Sequence, residues 1–323
     1  MFSKDCLTLD VHAEIERIAA TLREQVGELR KKGLVLGLSG GIDSSVSCAL
    51  AVRAVGKERV FAIFMPEKDS SDDALRLGRM VAEHFGVQAT VENIGPALKA
   101  LGCYERQAEV VRAAEPGFCD GWKFKLVLPS ILESERLNVT RLVVEAPDGS
   151  VRTHRLSAAG YCQIVAATNY KQRLRKTTEY YHADRLGFAV IGTPNRLEYD
   201  QGFFVKQGDG AADVKPIAHL YKTQVYALAE ALGVPAEVRG RPPTTDTFSM
   251  AQTQEEFYFA LPYDRMDLCL YAHNHKVPPA EVAPVVGLTA AQVERVFKDI
   301  EAKRRATRYL QLPPLLIEKV AEV

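Results

Sequence analysis

Apolar positions along the chain repeat with two periods, one helical and one strand-like, and the two alternate. Ile15, Ile18, Ala19, Leu22, Val26 and Leu29 recur at helical spacing within residues 11–32, with Lys31 and Lys32 in the last turn and Gly33 beyond. The run Leu34–Leu38 that follows is short, uncharged and β-rich, the pattern of a strand covered on both faces in a parallel sheet. After two glycines, Val46, Ala49, Leu50 and Val52 resume the 3.6-residue period. Val60–Phe64 reads as a second buried strand. A helix capped by Ser70 and Ser71 follows, with Asp72 and Asp73 in its first turn and Gly86 at its end, and residues 88–94 read as a third strand. A long helix over about 158–182 and an apolar run Phe188–Thr193 continue the series. Strand and helix at short intervals predict an α/β fold with a doubly wound, mostly parallel sheet.

Residues 116–157 interrupt this order. Trp122–Leu128 alternates, and the β-rich arms 139–145 and 151–156 flank the turn Pro147-Asp148-Gly149. The reading is a β-hairpin insertion, serving as a lid, an oligomer contact or a surface decoration. Residues 250–323 read as a helical C-terminal extension of short helices and Pro-containing loops, the last helix running from Ala290 to about Arg305 before Pro313-Pro314. The whole of 1–323 is expected to form a single domain carrying these two additions.

Composition narrows the choice of function. The 41 basic and 41 acidic residues cancel, so no global positive charge exists to hold nucleic acid. The N-terminus lacks a signal-peptide pattern, and no run approaches the roughly 18 apolar residues of a membrane span. A cytoplasmic protein without nucleic-acid or membrane partners is expected. Cys6, Cys48, Cys103, Cys119, Cys162 and Cys269 are scattered without a C-x-x-C pair, so buried free thiols are expected rather than a zinc or redox site.

The densest chemistry lies in the turn Gly37-Leu38-Ser39-Gly40-Gly41-Ile42-Asp43-Ser44. Two glycines let the backbone turn its N–H groups toward an anion, and the following helix points its positive end the same way. Asp43, a carboxylate among phosphate-seeking groups, makes sense if a magnesium ion lies between it and the phosphates of ATP. The plain alternative is a glycine turn with Asp43 and Ser44 as helix caps. Against it, Ser-Gly-Gly-x-Asp-Ser arises by chance in such a chain with a probability on the order of one in a few thousand. Neither G-x-x-x-x-G-K-S/T nor G-x-G-x-x-G fits this stretch. Thr193 and Glu198, beyond the strand at 188–193, fall on the same carboxyl edge of the sheet, so Glu198 could complete the magnesium site with Asp43.

The turn resembles the pyrophosphate loop of the N-type ATP pyrophosphatases. Further segments follow in order: Asn169-Tyr-Lys171-Gln-Arg173-Leu-Arg175, Gly192-Thr193-x-Asn195-x-x-Glu198, Gly202-Phe203-Phe204-Val-Lys206-x-Gly208-Asp209-Gly210-x-x-Asp213, Leu220-Tyr-Lys222-Thr-Gln224 and Pro243-Thr244. Together with the loop, this series resembles the NAD synthetase family, of the ammonia-dependent type. The resemblance implies an adenine nucleotide α-hydrolase-like sheet. It assigns ATP to residues 37–44 (Gly37, Leu38, Ser39, Gly40, Gly41, Ile42, Asp43 and Ser44) with Thr193, Lys222 and Thr244. It assigns magnesium to Asp43 and Glu198, deamido-NAD to Arg173, Lys206 and Asp213, and catalysis to Lys222 and Asp43. The implied reaction is amidation of deamido-NAD to NAD through an adenylate, releasing AMP and pyrophosphate.

Ammonia is the expected nitrogen donor, free or handed over by a separate glutaminase subunit, because no stretch of the chain is left for a nitrilase-type domain. A homodimer is implied, with Arg173, Arg175 and Lys176 on one side of the 158–182 helix and Ile164, Val165 and Ala167 on another. The chain departs from the family at the 116–157 insertion, at Ile42 where Gln is common, and near the C-terminus, where no His-Lys pair stands among Arg304–Arg308. Other readings are a pyrophosphatase that adenylates a different carboxylate or a tRNA base, and a non-catalytic nucleotide-binding protein. Phe203 and Phe204 offer an aromatic face to a base, or one is simply buried.

Overall fold

The computed structural model describes residues 2–128, 140–244, 247–259 and 261–321. Its main sheet joins β1 (Leu34–Gly37), β2 (Val60–Phe64), β3 (Gln88–Val91) and β7 (Ala189–Val190) in the order β3-β2-β1-β7, every pair parallel. Strand alternation divides the core between the two faces. Leu34, Leu36, Ala62 and Phe64 pack with helices Val11–Glu28, Ile42–Val55 and Lys222–Ala231, whereas Val35, Ile63 and Val190 meet Ala183 of the long helix Ala158–Leu186. Leu34, Val35 and Leu36 are fully buried, as a central parallel strand requires. The doubly wound α/β architecture expected from the periodicity is present.

Several boundaries differ for identifiable reasons. The first helix ends at Glu28, because Arg30 turns to φ 51° and Lys32 N bonds back to Gly187 O at 2.8 Å. The edge strand β7 is two residues long. Beyond it, Ile191 bridges Val214, and Asp213 N bonds Val190 O at 2.9 Å, so the chain after Gly210 takes over the pairing. Ser71 caps the helix Asp72–Phe85 through Ala74 N, while Ser70 Oγ accepts from Glu67 N at 3.1 Å instead. The last helix continues past Arg305 to Gln311.

The expected hairpin, β5 (Arg141–Glu145) with β6 (Val151–Arg155), gains a third antiparallel strand, β4 (Lys123–Val127); residues 129–139 lie outside the described residues. Phe124, Leu126, Leu142 and Val144 are buried from this sheet against Val110, Val111 and Ile164 of helices Cys103–Ala114 and Ala158–Leu186. Helices Tyr263–Asn274, Pro279–Val286 and Ala290–Gln311 enclose a separate core around Met266, Leu270, Val293 and Ile300. All six cysteines are free, but Cys119 and Cys162 are exposed, so burial of the thiols holds only for part of the set. Among the described residues no helix is long and apolar enough to cross a membrane.

Candidate active site

A cleft of about 280 Å³ opens beyond the carboxyl ends of β1, β2 and β7, where a parallel sheet leaves its ligand site. Seven of the eight residues 37–44 line it, with Thr193 and Glu198 from the β7 side and Thr244 and Gln254 opposite. Gly40 is the exception. It turns at φ 74°, and a Cβ there would stand 2.6 Å from Ala74 O, so glycine lets the loop lie against the helix Asp72–Phe85. The serine hydroxyls knit the turn together: Ser44 Oγ lies 3.1 Å from both Ser39 Oγ and Gly41 O, and Ser45 Oγ donates to Gly41 O at 2.8 Å. The helix Ile42–Val55 presents its N-terminus to this cleft with no side-chain cap bond at Gly41. Ile42 anchors the loop by placing its side chain in the core, only 4% exposed.

Three distant segments assemble the charged groups. Lys222, the first residue of its helix and 1% exposed, forms an ion pair through Nζ with Asp43 Oδ2. Asp43 Oδ1 accepts from Asn195 Nδ2 at 3.2 Å. Asn195 also caps the helix Arg196–Gln201, accepting from Leu197 N and Glu198 N, while Glu198 Oε2 accepts from Asn195 N at 3.0 Å. Glu198 Oε1 accepts from Gln254 Nε2 at 3.0 Å. Asp267 accepts from Lys222 N at 3.2 Å and Thr223 N at 2.8 Å, fixing where the Lys222 helix begins.

Burial, reinforced by the charge of Asp43, pushes the Glu198 carboxyl up to about 8, with Lys222 opposing. Burial works against a charged Lys222, but Asp43 and Glu198 outweigh it and its value rises. Two carboxylates that repel one another on one edge form a donor set a magnesium ion suits, since magnesium takes one or two carboxylates and completes its shell with water and phosphate oxygens. Among the described residues no group of three or more His, Cys, Asp or Glu forms an all-protein cage. Behind Lys222 a second cavity of about 220 Å³, lined also by Tyr226 and Tyr263, shares Arg241, Pro242, Pro243 and Gln254 with the main cleft. Lys222 lines this second cavity and not the main cleft, which it reaches through its ion pair with Asp43.

Arg173, Lys206 and Asp213 are not brought into the cleft. Arg173 Nε donates to Lys206 O at 3.3 Å, and Lys206 Nζ donates to Tyr309 O at 2.8 Å. Asp213 accepts from Val190 N at 2.7 Å and Tyr180 OH at 3.3 Å, so it completes the edge of the sheet. The basic face expected on the long helix divides: Arg173 is exposed, whereas Arg175 and Lys176 line the cleft. Lys176 is buried and paired with Glu179 Oε2 at 2.6 Å. Neither Phe203 nor Phe204 lines the cleft; Phe203 stacks on Tyr258 at 4.6 Å and Phe204 faces Tyr199 at 6.2 Å.

Asn195 and Gln254 are the groups that the sequence reading left without a role. The N-x-x-E spacing of Asn195 and Glu198 is a capping-box signal that would have marked Asn195. Nothing local distinguishes Gln254. Lys176, Glu179 and Asp209 also line the cleft, where burial raises the carboxyls of Glu179 and Asp209.

Residues 14–115 and 133–309 match the family model described as NAD synthase. The chain is 65% identical, over 98% of its length and 99% of the relative, to the NH(3)-dependent NAD(+) synthetase of Mesorhizobium japonicum. It is 33% identical, over 91% of its length and 96% of the relative, to the protein of the same description in Thermotoga maritima. In fold it is similar to the NH3-dependent NAD synthetase of Campylobacter jejuni in complex with the nitrate ion, with TM-score 0.63 at 20% identity over 96% of this chain and 100% of that one. It is likewise similar in fold to an NMN synthetase from Francisella tularensis, with TM-score 0.66 at 21% identity over 96% and 99% of the two chains. With the loop, the Asp43–Lys222 pair and Glu198 gathered on one sheet edge, the chain belongs to the NAD synthase family.

Proposed function

We propose that this chain is an ammonia-dependent NAD synthetase that adenylates deamido-NAD. The nicotinate carboxylate attacks the α-phosphorus of ATP and pyrophosphate departs. Ammonia then adds to the acyl carbon and AMP leaves with the former carboxylate oxygen. The observation that carries this reading is the convergence of Asp43, Asn195, Glu198 and Lys222, from three separate segments, beside a phosphate-type loop. The loop amides and the helix N-terminus bind phosphate, and the fixed charge of Lys222 favours the charge that develops as pyrophosphate leaves. Asp43 and Glu198 would hold magnesium, which when bound neutralises phosphate charge. Thr193 and Thr244 border the ATP site from either side. No side-chain nucleophile is needed, so the residues act by position and electrostatics.

Arg173, Lys206 and Asp213 lie on the flank of the long helix, and we assign them to the distal part of deamido-NAD in a homodimer whose partner covers that flank. Phosphorus NMR of the protein with ATP, magnesium, ammonium and deamido-NAD tests the reading. AMP and pyrophosphate appearing with NAD support it, and ADP with inorganic phosphate overturns it.

A further inference from the structure

Segment 247–256 faces the cleft on one side and the three-stranded sheet on the other. On the cleft side Gln254 donates to Glu198, and Thr253 bridges Thr244. On the other side its contacts with the β4 strand region succeed one another along the chain. Phe124 N donates to Ser249 Oγ at 2.9 Å, Met250 N to Phe124 O at 3.2 Å, and Leu128 N to Glu256 O at 3.0 Å. Lys125 Nζ donates to Ala251 O at 3.3 Å and lies 3.1 Å from Glu256 Oε2, while the Gln252 side chain donates to Leu126 O.

β4 is an edge strand, and an edge leaves a row of backbone groups to be satisfied. Segment 247–256 takes that row. Phe248, 4% exposed, seals the seam against Phe124 at 5.6 Å between ring centroids. At the start of the segment, Thr247 O accepts at 2.9 Å from Lys171 Nζ, itself buried in ion pairs with Glu67 and Asp69. The family match passes from 115 to 133, so β4 belongs to a stretch outside the pattern that the family shares.

We propose that the three-stranded sheet is a brace: β4, the strand outside the matched stretches, fixes segment 247–256 beside the cleft and so holds the positioning residue Gln254 on Glu198. The structural half of this statement stands on geometry alone, and its effect on turnover rests on the reaction proposed above. Lys125 of β4 and Ser249 of the segment join the two without lining either cavity, so substitutions there loosen the brace while sparing every cleft group.

The test is the double variant Lys125→Met/Ser249→Ala in the full chain, with Lys125→Arg as the conservative control. Amide hydrogen exchange of the ligand-free protein should speed up by roughly tenfold at Met250 and its neighbours, with β5 amides unchanged. The KM for ATP should rise by about fivefold at near-constant kcat, and Lys125→Arg should restore both readouts. Adding Gln254→Ala to the loosened protein should then cost much less than adding it to the native one, because coupled sites are not additive. Unchanged exchange at Met250, or a Gln254→Ala effect of equal size in both backgrounds, overturns the brace. Faster exchange in a protein that makes no NAD would leave the brace standing and overturn the reaction instead.

Discussion

The carboxyl edge of the main sheet and the outer flank of the long helix both carry residues that the family signature marks, yet only the first becomes a site within one chain. Asp43, Glu198 and Lys222 are 155 and 24 residues apart in sequence, and the parallel sheet brings them together because β1 and β7 are neighbours ending at the same edge. Arg173, Lys206 and Asp213 gain no such convergence. Their polar atoms are taken up by backbone groups of the same chain, and Arg173 and Asp213 are exposed. Groups fixed by sheet topology are preorganised, whereas groups on an open flank wait for a ligand or a second subunit.

The largest effect expected on the first region follows Lys222→Met. It removes the buried cation paired with Asp43, so kcat/KM for ATP should fall by about a thousandfold. Stability should fall by roughly 3 kcal/mol, since an unpaired carboxylate is left in a buried place. Steady-state kinetics with a denaturant titration checks both, and near-native turnover would break the claim that the edge is the chemical centre.

Next in size is Glu198→Gln, expected to lower kcat by about a hundredfold at moderate magnesium. Its pH signature is separable from its kinetics. The folded-state value of Glu198, about 8, lies above the ordinary 4.5, so its contribution to stability is present below about pH 4.5 and is lost as pH rises toward 8. The melting temperature of the metal-free protein should therefore fall across that window, and Glu198→Gln should flatten the slope. Glu179 and Asp209, raised in the same direction, leave part of it in place.

Arg173→Ala probes the flank and should raise the KM for deamido-NAD about tenfold while leaving that for ATP within twofold. A silent variant would mean that the arginine is merely solvated, and the dimer assignment would fall with it. The smallest change is expected for Phe204→Leu, whose ring lies outside the cleft; its KM for ATP should match the native value within experimental error.

The sheet was legible because each buried strand is a short uncharged run between helical periods, and the loop because glycine and serine spacing reflects local backbone chemistry. The hairpin arms were legible from alternation around Asp148-Gly149. That β4 would join them, and would spend its free edge on a segment more than 120 residues later, has no local signal, since pairing across such a distance leaves no period in the sequence. Lys176 illustrates the other limit. Its place beside Arg173 and Arg175 reads as part of a basic outer face of the helix, whereas the structure buries it in a pair with Glu179 on a helix packed against β1. Asp213 likewise sits in a motif that suggests ligand binding, while its carboxylate completes a sheet edge.

The central claim, that the carboxylate of deamido-NAD is activated as an adenylate at this edge, is tested most directly by oxygen tracing. Deamido-NAD labelled with oxygen-18 in its nicotinate carboxylate is turned over with ATP, magnesium and ammonium, and the AMP is examined by mass spectrometry. One labelled oxygen in the phosphate of each AMP, formed in step with NAD, is the predicted result; AMP free of label while NAD accumulates would contradict the account.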